Sequence, residues 1–200
     1  AAVFGQRTTT GKWNIINELV CFDMGVMRFS ELLRGDIAKL YKGYEIMIYG
    51  DPSGDFRSQT DERTPFQIMR QYGLKALPAP SNDVALRIES VDATLSRLVD
   101  GQAGFNMHTD CINLKKGFNG GYHYRRLQTS GDRYDEKPLK NRYSHVHDAL
   151  QYLMMGAGEG RTMLTGKHPS RPTIAKKEWD VFAGQSKKSR KIWDIFKKNG

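Results

Sequence analysis

Cysteine is nearly missing from this chain, and its two copies, Cys21 and Cys111, stand far apart with no paired metal-ligand spacing around either. That argues against a disulfide framework or a thiolate zinc site and leaves both as reduced core residues. Long apolar runs are missing too. Nothing approaches the roughly 20 residues that span a bilayer, and the first residues lack the charged-then-apolar order of a signal peptide. A soluble, intracellular protein with no membrane partner is expected. The sequence also has no Gly-rich Walker segment, no zinc pattern and no Ser-His-Asp signal, which excludes nucleotide hydrolysis by a P-loop within these residues.

What remains is 38% hydrophobic with 20 glycines in 200 residues, the profile of one folded domain with an appendage. Its formal net charge is +9, unevenly spread. Lys plus Arg stand 12 against 13 acidic residues in positions 1–100, and 19 against 9 in positions 101–200. A basic half raises the local concentration of polyanions, so nucleic acid is the first partner to consider; a merely solubilising surface is the competing explanation.

Periodicity divides the chain into alternating elements. Positions 1–6 and 13–21 are β-like around Gly11 and read as a hairpin. Val26, Phe29, Leu33, Ile37 and Leu40 recur at steps of three and four, one buried helix face that ends before Gly43. A strand over 46–49 runs into Gly50 and Asp51, then a polar loop over 55–63. Thr64, Pro65 and Gln67 supply a capping box for a helix stopped by Gly73, and a strand follows over 74–77. Ser81, Asn82 and Asp83 cap a helix whose expected face is Val84, Ile88, Val91, Leu95 and Leu98. A strand over 104–108, a short helix over 110–118 and a β-type run at 122–127 come next. The polar stretch 128–140 is expected to be loop. Ser144 is placed to cap a final helix with the stripe Val146, Leu150 and Leu153. This order predicts an α/β fold, a mixed sheet flanked by helices on both faces. Residues 1–155 form the expected domain. Gly156 to Gly160 reads as a flexible joint, and residues 156–200 as a basic C-terminal extension.

Asp51 lies at the carboxyl end of a strand, where ligands of open α/β sheets gather, and Asp148 lies in the first turn or so of a helix. Converging carboxylates are hard oxygen donors suited to Mg²⁺ or Mn²⁺, leaving positions open for water and phosphate. Two such ions activate a water and neutralise the leaving oxygen in phosphodiester cleavage. His145 and His147 flank Asp148 and are candidates to contact phosphate, orient a carboxylate or assist proton transfer. They point in different directions on a helix, so at least one is expected to be structural. The expected DNA-binding cations are Lys115, Lys116, Arg125, Arg126, Lys140 and Arg142.

Gly-Asp-Pro-Ser-Gly at 50–54, a helix ending in Gly73, Pro-Ala-Pro-Ser-Asn-Asp at 78–83 with Arg87, and Ser-His-Val-His-Asp-Ala-Leu-Gln-Tyr at 144–152 together resemble the nuclease domain of tailed-bacteriophage large terminase subunits. The resemblance covers about residues 1–155. It implies a ribonuclease H-like mixed five-stranded sheet, a two-metal site holding Mg²⁺ or Mn²⁺, and an endonuclease that cuts concatemeric DNA at the start and end of packaging. It further implies double-stranded DNA, a terminase small subunit, a portal or procapsid and an ATPase domain of the same polypeptide as partners. The place of action would be the packaging motor in the host cytoplasm.

By the same resemblance, Asp51 matches the second acidic residue of that family and Asp148 the third. The first lies on a strand just before the part matched by Ala1 to Gln6, so the chain is expected to be N-terminally truncated and poorly active alone. Asp23 does not occupy that position. Two other readings remain at this stage: a non-catalytic DNA-binding or procapsid-docking fragment, and another ribonuclease H-like nuclease such as a resolvase or transposase.

Overall fold

A computed structural model describes residues 1–55, 63–127 and 133–159. The expected 55–63 and 128–140 loops lie partly, and the basic extension from 160 onward wholly, outside the described residues.

The chain opens with the expected hairpin. Strands β1 (Ala2–Arg7) and β2 (Trp13–Leu19) pair antiparallel, with a register shift between Phe4 and Gly5. At that shift a Cβ on Gly5 would stand 2.8 Å from Leu153 Cδ2, so glycine is what lets the last helix approach the strand. Helix α1 (Val26–Leu40) follows; Val26, Phe29, Leu33 and Ile37 face the core, while Leu40 closes the helix 49% exposed. Strand β3 (Ile48–Gly50) starts two residues later than its apolar run.

Helix α2 (Pro65–Gln71) carries the full capping box: Gln67 N donates to Thr64 Oγ1 at 3.2 Å, and Thr64 N to Gln67 Oε1 at 2.9 Å. Gly73 stops it with φ +77°, a left-handed turn that glycine takes without strain. Strand β4 (Ala76–Pro78) then runs parallel to β3.

Helix α3 (Val84–Leu95) is capped by Asp83, whose Oδ1 accepts from Leu86 N at 3.0 Å. Its buried face differs from the expected apolar one. Arg87, Ser90, Val91 and Thr94 are buried; Leu95 is 42% exposed, and Leu98 has left the helix. Ser90 and Thr94 turn their hydroxyls onto the carbonyls of Arg87 and Val91, both at 2.7 Å, so small polar residues are buried without orphaned groups. Counting apolar positions alone misses such a face.

Strands β5 (Leu98–Val99) and β6 (Gln102–Ala103) form a small hairpin, and β7 (Phe105–Met107) joins β2 in parallel. Helix α4 (Ile112–Lys116) takes its N-terminal cap from β2: Glu18 accepts from the Asn113 and Leu114 amides at 2.7 and 2.9 Å. Strand β8 (Tyr124–Arg126) pairs with β9 (Tyr134–Pro138), a strand inside the stretch expected to be loop. Residues 134–138 are almost wholly exposed and charged, which explains why no hydrophobic alternation marks them.

The last helix, α5 (Ser144–Gly156), starts at Ser144 itself. Tyr143 is the cap position, and Ser144 Oγ instead bonds Asn141 O at 2.8 Å. Three apolar clusters result among the described residues. Trp13, Ile15, Val91, Cys111, Leu114, Val146, Leu150 and Met154 form the first, Leu33, Phe66, Met69, Leu74 and Ala76 the second, and Ala79, Tyr152 and Met155 a small third. The class is mixed α/β, as expected, but the described strands make four small sheets in place of one, the largest in the order β1-β2-β7.

Gly156 to Glu159 is anchored rather than a free joint. Glu159 is buried, accepting from Trp13 Nε1 at 2.7 Å and pairing with Arg97 at 2.5 Å and Arg7 at 3.5 Å. Both cysteines are free; Cys111 is a core residue as expected, whereas Cys21 is only partly buried, and among the described residues no helix is long and apolar enough to cross a membrane.

Candidate active site

Asp51 follows β3 directly, and the next four residues, Pro52–Asp55, form a 3₁₀ turn. Its Oδ1 accepts from the Ser53 amide at 2.8 Å, an Asx-type turn that fixes the carboxylate over the strand end. Burial pushes the Asp51 carboxyl upward, but the bonds from Ser53, the Tyr152 hydroxyl and the Arg87 charge outweigh it, and the group is held below the ordinary carboxylate range.

Asp148 lies on α5, on its side toward α3. Arg87 Nη1 approaches Asp148 Oδ1 at 3.4 Å, and Lys140 Nζ reaches Oδ2 at 2.5 Å. The Arg87 guanidinium also lies 4.6 Å from the centre of the Tyr152 ring, one helical turn beyond Asp148. The Tyr152 hydroxyl sits between Asn82 Oδ1, at 2.6 Å, and the Asp51 carboxylate; its single proton serves one of them at a time. Burial is the main reason the phenol resists ionisation, and the hydrogen bond to Asp51 adds to it.

Arg87 and Tyr152 therefore join the two acids. Each senses both carboxylates, although Asp51 and Asp148 come from a strand end and a helix nearly one hundred positions later. Sequence reasoning on carboxylates alone passed over Tyr152, Asn82 and the acid-binding role of Lys140. A signal for Tyr152 was available in its spacing, since Asp148 and Tyr152 are four apart and share a helix face.

As for metal, two carboxylates with water and phosphate make a reasonable donor set for one Mg²⁺ or Mn²⁺. A third donor from His, Cys, Asp or Glu is not grouped with them among the described residues. Lys140 also stands where a cation would approach Asp148 Oδ2. Among the described residues these two carboxylates, linked through Arg87 and Tyr152, are the candidate donors, and no second set of ligands stands beside them.

The histidines separate. His145 is exposed on α5. His147 is 4% exposed, bonded through Nε2 to Leu114 O at 3.2 Å and stacked on Tyr122 with centroids 4.7 Å apart and planes 4° from parallel. Phe118 meets it edge-on, and burial pushes its basicity down. This ring is a packing element with no face left for phosphate.

The basic residues also differ from one another. Lys115 and Lys116 are exposed in the last turn of α4, and Arg125 and Arg126 are exposed on β8. Arg142 lies over Phe22 and Tyr143, 5.7 and 5.6 Å from the ring centres. Lys140, expected among the DNA contacts, is bonded to Asp148. The base of the β8–β9 hairpin is tied beside this edge of the site: Asn141 Nδ2 donates to Gly121 O at 2.7 Å, Leu139 N to His123 O at 2.9 Å, and Gln151 Nε2 to the Tyr122 hydroxyl at 2.9 Å.

No protein-family model, curated protein or solved structure compared with this chain matches it.

Proposed function

We propose that the chain is the nuclease part of a DNA-packaging terminase, a ribonuclease H-like metal-dependent endonuclease that cuts concatemeric double-stranded DNA. The observation that carries this reading is the joining of Asp51 and Asp148 by Arg87 and Tyr152 beside a hairpin bearing Arg125 and Arg126. Asp51 and Asp148 would hold a Mg²⁺ or Mn²⁺ ion, and the bound ion would supply charge neutralisation at a phosphodiester. Arg87 holds Asp148 in place, Ser53 and Tyr152 keep Asp51 ionised, and the exposed arginines of β8 track the phosphate backbone. In this reading the small subunit, the portal or procapsid and an ATPase domain are its partners, and the packaging motor in the host cytoplasm is its place of action.

Titration calorimetry with Mn²⁺ tests it, on the wild-type chain and on Asp51→Asn and Asp148→Asn. Saturable uptake that both substitutions weaken at least about tenfold supports the reading, since each removes a charged ligand. Equal uptake by all three proteins sinks it, and leaves a non-catalytic DNA-binding module as the account of the basic hairpin.

A further inference from the structure

Among the described strands, β8 and β9 pair only with each other. All three residues of β8 and the first four of β9 are exposed, so the ribbon turns neither face to a core. A two-stranded ribbon with no buried face is marginal in water, and this one is held at its root. Leu139 N donates to His123 O at 2.9 Å, Lys140 reaches Asp148, and Tyr122, just before β8, stacks on His147. The ribbon thus stands out from the edge of the candidate site at Asp148.

Its side chains are aromatic as well as basic. Tyr124 is 39% exposed and Tyr134 56%. Nearby tyrosines are engaged: Tyr122 with His147, Tyr143 under Arg142 and Tyr152 under Arg87. Tyr124 and Tyr134 meet no ring and no guanidinium among the described residues. Tyr134 is the cross-strand partner of Arg126, and Tyr124 lies two residues along β8 from Arg126, so the three share one face. Between these pairs the register shifts, a bulge of the kind that re-aims side chains. Charge alone does not account for the ribbon. Arg125, Arg126 and Lys137 are set against Asp135 and Glu136, and a plain phosphate track would not carry two carboxylates. Exposed flat rings beside an arginine are the elements that stack on nucleobases. Diagonal neighbours on one face of a ladder stand roughly 7–8 Å apart, against a step of about 3.4 Å between bases stacked in a duplex. Bases in a duplex cover each other's faces, whereas bases splayed from an unpaired strand can reach both rings.

We propose that the β8–β9 ribbon binds an unpaired stretch of DNA, with bases stacked on Tyr124 and Tyr134 and phosphates on the arginines of β8. The inference rests on DNA being the partner, as in the proposed function, and deepens that reading by naming the form of DNA: a single strand held open beside Asp148. It needs neither Asp51 nor a metal ion.

The probe is a short oligothymidine carrying one 2-aminopurine, whose fluorescence is quenched when the base stacks on an aromatic ring. It is titrated with the full 200-residue chain in EDTA, as a single strand and as a duplex with its complement. The single strand should bind with quenching. Tyr134→Ala and Tyr124→Ala should each weaken that binding about tenfold and remove much of the quench, while Tyr134→Phe keeps both, because the ring face and not the hydroxyl does the stacking. Duplex affinity should stay within about twofold of wild type in all three variants, which also shows that the ribbon is intact. Single-strand binding and quenching that survive both alanine substitutions would overturn the inference. So would equal losses on single strand and duplex, or a loss in Tyr134→Phe as large as in Tyr134→Ala. In those cases duplex binding persists or is measured directly, and DNA as the partner is unaffected. A wild-type chain that binds neither form would overturn this inference and the DNA reading together. With no metal in the assay, none of these outcomes depends on ion uptake at Asp51 and Asp148.

Discussion

The guanidinium of Arg87 stands 3.4 Å from Asp148 Oδ1 and 4.6 Å from the centre of the Tyr152 ring, so one side chain of α3 grips two successive turns of α5 on a single face. Burial makes the grip tight, for Arg87 is 5% exposed. Its carboxylate partner is the same residue that the nuclease reading needs for metal.

Arg87→Ala should therefore destabilise the fold by about 3 kcal/mol, because it leaves the largely buried Asp148 carboxylate with only the exposed Lys140 as its charged partner and removes the polar part of the contact between α3 and α5. Urea unfolding checks the magnitude. Arg87→Lys should recover less than half of it, since an ammonium lacks the planar face that lies over Tyr152.

Lys140 lies on the other oxygen of Asp148, with 70% of its own side chain exposed. An exposed ion pair contributes little, about 0–1 kcal/mol, so Lys140→Ala should leave stability nearly unchanged. Mn²⁺ affinity should rise several-fold, because a competing cation has gone. Unaltered affinity would show that Lys140 does not guard that oxygen.

His147 gives a pH signature. Burial lowers its basicity relative to the unfolded chain, so below the ordinary histidine value near 6.5 the unfolded state takes a proton first. The stabilisation it contributes is complete above that pH and is lost progressively as pH falls toward its lower folded value. His147→Phe should flatten stability measured between pH 7 and 5.

Glu159 acts in the same direction at lower pH. Burial raises its carboxyl, yet the bonds from Arg97 and Trp13 and the charges of Arg97 and Arg7 hold it below the ordinary range. Its contribution is complete above the unfolded value and lost as pH falls through the folded one. Glu159→Ala should cost about 3 kcal/mol by leaving Arg97 and the Trp13 indole without their acceptor, read by thermal unfolding at pH 7.

In salt titrations of duplex DNA binding, Arg125→Ala and Arg126→Ala should each weaken affinity uniformly across sequences and reduce the log–log slope by about one. Binding that ignores salt would remove the backbone-tracking role given to β8.

The sequence by itself determined the local elements. Gly11, Gly73 and the Thr64 capping box set the ends of a hairpin and a helix, and steps of three and four placed α1, because turn chemistry and periodicity act within a few residues. It also singled out Asp51 and Asp148. Tertiary structure alone decided the rest. The buried face of α3 is built from Arg87, Ser90 and Thr94, whose polarity disguises it until α5 supplies a partner, and β9 has no apolar alternation to reveal it. Glu18, Glu159 and Lys140 became a helix cap, an anchor and a rival for Asp148 only when distant segments met them. The placing of β1 and β3 in separate sheets under shared helices also follows from how α1, α2 and α5 pack across them, a spacing between elements that no local pattern encodes.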